Sequence, residues 1–84
     1  MHKYEPLRDW FLKQPGIHVT VSFDDIEDED RIGVKLPPSA RVRRSWWGNE
    51  VAADSRQCRA WLDARWRVDS VDLLRERVTF VKMK

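Results

Sequence analysis

The sequence contains a single cysteine, Cys58, and only two histidines, His2 and His18. One thiol cannot close an internal disulfide, and this set cannot supply a cysteine-based zinc site within one chain. Uninterrupted apolar stretches never exceed three residues, too short for a membrane span. The opening Met1-His2-Lys3-Tyr4-Glu5 is not a hydrophobic signal segment, so a cytoplasmic location is expected. Internal repeats, low-complexity linkers and any composition break are also missing, and residues 1–84 read as one domain. No serine, histidine and acid combination occurs in a supporting context. The expectation is a non-enzyme with no catalytic residue, no metal ligand and no cofactor.

What the chain has in quantity is aromatic and charged residues. Its 84 residues include five tryptophans, three phenylalanines and one tyrosine. A domain of this length buries only about 60–65 % of the surface its unfolded chain exposes, so a few large side chains must make the core. With 42 % apolar and 36 % charged residues the composition is that of a globular chain, not a disordered one. The net charge of +2 conceals a dipole. Six acids and no base lie between Asp24 and Asp30, whereas Lys35 to Arg67 holds eight bases against Glu50, Asp54 and Asp63.

Periodicity places the elements. Tyr4, Leu7, Trp10 and Phe11 form one apolar stripe of a helix, with Pro6 in its first turn and Pro15-Gly16 at its end. Ile17, Val19, Val21 and Phe23 alternate with His18, Thr20 and Ser22, the period of a half-buried strand. Ser22 and Asp25 have capping-box spacing, which predicts a helix starting near Asp24 with Phe23 and Ile26 as inward contacts and fraying after Asp28. Pro38 or Ser39 begins a short helix to about Arg44. Asp54 or Ser55 can cap another in which Cys58, Ala60, Trp61, Leu62 and Ala64 share an apolar arc. Val71 and Leu73, then Val78 and Phe80, read as a hairpin about Arg75-Glu76, with a break in alternation at Val68 to Val71 that marks either a bulge or the true start of the strand. The expected fold is α+β, with helices packed on a small three-stranded antiparallel sheet, and its element order is compatible with a winged helix.

Several stretches together resemble a widespread small bacterial domain of unknown function: "YEPLRDWF", "VTVSFDDIE", "LPPSARVRRSWWGN", "RAWLDARWRVDSVDL" and "VTFVK". They span nearly the whole chain. The resemblance implies a compact α+β domain without an established molecular role. Two departures stand out: the acidic "EDEDR" replaces an apolar helix end followed by glycine, and Ser55 stands where the pattern carries histidine in an "HSQA"-like segment matched by Ser55, Arg56, Gln57 and Cys58.

The densest functional signal is "LPPSARVRRSWWGNE". Arg41, Arg43 and Arg44 beside Trp46 and Trp47 offer guanidinium groups for phosphates next to an aromatic surface. Arg56 supports this set and Arg77 extends it from the hairpin, which gives the expected nucleic-acid-binding residues Arg41, Arg43, Arg44, Arg56 and Arg77, with DNA as the preferred partner. Winged-helix proteins often pair to read two half-sites, so a homodimer is expected, with no surface specified. The alternative is a protein-interaction or regulatory module, for instance of a defence or mobile-element system, that docks a partner through its acidic and aromatic surface.

Overall fold

In the computed structural model, which describes residues 4–49 and 57–83, the chain forms a three-stranded antiparallel sheet with helices packed on it. Helix α1 (Glu5–Leu12) has proline in its first turn and buries Leu7 and Phe11, as its apolar stripe requires. Strand β1 (His18–Ser22) follows and runs directly into α2 (Phe23–Glu27). Ser22 is the cap of α2: its Oγ accepts the Asp25 amide at 3.0 Å, as the spacing of the two residues predicts. Phe23 and Ile26 are buried beneath that helix.

Strand β1 is shorter than the alternation suggests. Phe23 begins α2 instead of ending the strand, and Ile17 lies just before β1 with 77 % of its surface exposed.

After the turn at residues 29–32, Gly33 takes a φ of 81°, a backbone conformation that glycine adopts without the Cβ penalty. Helix α3 (Pro38–Val42) starts at Pro38 and stops two residues before Arg44. Arg44–Trp47 forms a separate 3₁₀ turn. Helix α4 (Gln57–Leu62) buries Cys58, Ala60 and Trp61. The expected capping residues Asp54 and Ser55, and Arg56 with them, lie outside the described residues. Burial pushes the Cys58 thiol pKa up, the opposite of what a nucleophile needs.

Strands β2 (Trp66–Asp72) and β3 (Arg77–Lys82) make the hairpin. The sheet order is β1-β3-β2, with both pairings antiparallel. The register shift between Val68 and Ser70 is a bulge, one of the two readings of the broken alternation. Trp66, Val68, Val71, Val78, Phe80 and Val21 face the helices and are buried. The opposite face carries His18 and Thr20 from β1, Arg77, Thr79 and Val81 from β3, and Arg67, Ser70 and Asp72 from β2. The 2.8 Å contact between the Thr20 and Thr79 hydroxyls lies on this face.

Aromatic rings supply most of the core. Trp47 stacks between Phe23, at 5.2 Å and 13°, and Trp61, at 5.9 Å and 19°. Phe80 meets Phe11 edge-on at 4.5 Å. These rings join β1's exit, the 3₁₀ turn, α4, α1 and the central strand. Among the described residues no helix is long and apolar enough to cross a membrane.

Candidate anion-binding face

In the segment from Arg41 to Trp47, Arg41, Arg44 and Trp47 bond other parts of the fold, while Val42, Arg43, Arg44 and Ser45 are exposed. Trp47 is buried, with its Nε1 donating to the Ala40 carbonyl at 2.8 Å, while Trp46 is half-buried against the core. Arg41 leaves α3 and donates to Glu27 at the end of α2 and to Glu76 at the hairpin turn, with Asp24 3.9 Å away. The other Glu27 oxygen accepts the Leu36 amide at 2.9 Å, so this carboxylate also fixes the approach to α3. The Arg41 guanidinium lies 5.7 Å from the centre of the Phe23 ring. Hydrogen bonding to Glu27 raises its pKa first, and Glu76 adds to the shift.

Arg44 donates to the Val71 carbonyl on β2 at 2.6 Å. Asn49 lies on the same strand edge. Its Nδ2 donates to the Val68 carbonyl at 2.9 Å, and its Oδ1 accepts the Val68 amide at 2.8 Å and the Trp61 Nε1 at 3.1 Å. A side chain whose donor and acceptor are both engaged by Val68 and Trp61 is not free to read a base edge. Arg43, by contrast, is exposed, and no described ion pair includes it.

Three surfaces of the fold are joined at Arg41, and this has a measurable consequence. Its side chain is 30 % exposed, so each charge-assisted bond is partly screened. Arg41→Ala is expected to cost about 2 kcal/mol in urea unfolding, and Arg43→Ala to stay within about 0.5 kcal/mol of the parent. Equal effects for the two substitutions would remove Arg41's assigned role.

Cations without described ion pairs collect elsewhere. A groove of about 540 Å³ lies at the end of the sheet away from the hairpin turn, lined by Ile17, His18, Arg67, Val81, Lys82 and Met83. The hairpin register builds it, setting Arg67 opposite Val81 and Trp66 opposite Lys82, while β1 sets His18 beside Val81. Arg65 lies next to this end, where its carbonyl accepts the Met83 amide at 2.7 Å. Among the described residues no carboxylate lines the groove. Apolar Ile17, Val81 and Met83 line it together with the cationic residues Arg67 and Lys82. Arg77 lies farther along the same sheet face, with Asp72 as its cross-strand neighbour.

Sequence reading does not reach this grouping from Arg41 to Arg44, because His18, Arg67 and Lys82 are far apart along the chain. The available signal is the hairpin: once β3 is paired with both other strands, the three residues come to the same end of the sheet, His18 and Arg67 beside Val81 on its outer face and Lys82 opposite Trp66. Among the described residues, no group of three or more histidine, cysteine and acidic side chains could hold a metal ion.

No curated protein and no solved structure matches the chain. A family model matches residues 4–83, and the chain therefore belongs to the family described as "Domain of unknown function (DUF7662)".

Proposed function

We propose that this domain is a non-enzymatic binding module for nucleic acid, DNA in the first instance, which it contacts through Arg67 and Arg77 on the outer sheet face, with His18 beside them and Lys82 at the end of the sheet. The observation that carries the reading is the groove at the sheet end, where among the described residues no carboxylate stands and the cations belong to none of the described ion pairs. Phosphate contact releases condensed counterions from the nucleic acid, so even a few such cations give salt-dependent affinity. Arg43 remains a candidate contact at the other end of the chain's basic segment. Arg41 and Arg44 have internal partners and are assigned to the scaffold.

The element order and the β1-β3-β2 sheet are compatible with a winged helix whose wing is the β2–β3 hairpin. The helices nevertheless offer little to a groove: α3 presents Arg41, which is engaged, and the described part of α4 presents Arg59. The proposed contact surface is accordingly the sheet rather than a recognition helix.

Fluorescence anisotropy against random duplex and single-stranded DNA tests the proposal. Wild type is expected to bind at low salt with an affinity that falls linearly on log–log axes. The Arg67→Ala/Lys82→Ala double variant should reduce that slope by about 2, whereas Arg44→Ala should leave it nearly unchanged. Absence of salt-dependent binding by the folded wild type would overturn the proposal. The second reading, a module that docks a basic protein partner, then takes over, favoured by the exposed carboxylates of Asp24, Asp28, Glu29 and Asp30.

A further inference from the structure

The two outer edges of the sheet are finished differently. In β2, Val68 and Val71 direct backbone groups away from β3. Asn49 satisfies both groups of Val68, and Arg44 binds the Val71 carbonyl. In β1 the bonds from Lys82 N to Ile17 O and from Phe23 N to Glu76 O fix the alternation. Ile17, Val19, Val21 and Phe23 therefore address β3, while His18, Thr20 and Ser22 address the outside. Ser22 is the cap of α2, and its carbonyl belongs to the first helical turn. Among the described residues no hydrogen bond engages the backbone N–H or C=O of His18 or Thr20. Strand β1 also lacks the devices that usually protect an edge: it contains no lysine, no proline and no bulge.

We propose that β1 is a self-association edge, at which two copies of the domain join antiparallel about a two-fold axis passing beside Val19. In that register His18 of each copy pairs with Thr20 of the other, so the open N–H and C=O groups of both residues are satisfied and none is left over. The choice of a second copy over another strand rests on three matches. On the helix-facing side, half-buried Val19 meets its own counterpart and exposed Ile17 falls opposite Val21 of the second copy. On the other side, His18 faces a threonine hydroxyl. Beyond the strand, antiparallel pairing brings the Lys13 and Lys82 flank of one copy toward the Asp24 and Asp25 flank of the other, opposite charges at both ends of the seam. The contact is short, and association in the micromolar to millimolar range is expected.

The dimer requires no nucleic acid, and its test is separate from the one above. Sedimentation equilibrium on the full chain from micromolar to millimolar concentration is expected to show a monomer–dimer equilibrium. Amide exchange should become concentration-dependent at His18 and Thr20 while staying slow at both concentrations for Val19 and Val21. Two double variants of exposed positions fix the register. His18→Lys/Thr20→Lys places like charges opposite each other twice and should weaken association by about tenfold or more, whereas His18→Glu/Thr20→Lys places opposite charges there and should retain it. A wild type that stays monomeric at millimolar concentration overturns the proposal. So does a dimer whose His18 and Thr20 amides remain unprotected, or equal association by the two double variants.

Discussion

Asn49→Ala is expected to destabilise the domain by about 3 kcal/mol, since it strips three polar groups of their partner at once. The Val68 amide, the Val68 carbonyl and the Trp61 indole N–H all bond this one side chain. Alanine offers none of them a replacement. Val68 and Trp61 are themselves buried, with 9 % and 0 % of their surfaces exposed, so water reaches the orphaned groups poorly. Asn49→Asp keeps an acceptor for the Val68 and Trp61 N–H groups but sets its second oxygen against the Val68 carbonyl, so it should also destabilise the domain, and less so at a pH where the carboxyl is protonated and can donate. Urea unfolding measures both. A loss under about 1 kcal/mol for Asn49→Ala would mean that solvent substitutes freely at this edge, against the satisfied geometry described here.

Trp47→Ala is expected to leave no stably folded domain. The indole is 2 % exposed, stacks on Phe23 and Trp61, and bonds the Ala40 carbonyl. Truncating a buried tryptophan costs about 3–5 kcal/mol, comparable with the about 5 kcal/mol at the low end of native stabilities. Near-ultraviolet circular dichroism and amide dispersion in a proton–nitrogen spectrum should both collapse. Trp47→Phe retains a stacking ring but drops the 2.8 Å hydrogen bond and some volume, and should remain folded with a lower melting temperature. A Trp47→Ala variant that melts within a few degrees of wild type would show that the aromatic stack does not hold the core.

The arginine and tryptophan segment illustrates which parts of the structure could be read from the chain. Local signals worked where the physics is local. Ser22 capping Asp25, Pro38 opening a helix, the alternation of β1 and the bulge near Val68 all depend on neighbours a few residues apart. The length of β1 did not follow the alternation, because Phe23 satisfies both the strand pattern and the helix that replaces it. The fate of Arg41 was not legible. Its partners Glu27 and Glu76 lie 14 and 35 residues away, on opposite sides of it in sequence, and no spacing rule links them. Arg44 shows a subtler limit: its partner is a backbone carbonyl, which every residue possesses and no sequence pattern marks. The groove around His18, Arg67 and Lys82 depends on strand register, which follows only after all three strands have been paired.

The bulge in β2 also constrains how the domain can change over evolutionary time. Upstream of it Trp66 and Val68 occupy the helix-facing side two residues apart, yet the next inward residue is Val71, three farther on. Asp69 is thus the extra residue between two halves of one strand. Deleting it while β3 stays in place would leave Val68, Ser70, Val71 and Asp72 in unbroken alternation opposite Phe80, Thr79, Val78 and Arg77, so the inward and outward sets would both be kept. A one-residue gap at Asp69 is therefore one that β2 can absorb, with loss only of the local bend, whereas loss of buried Val71 would bring Asp72 to the helix-facing side.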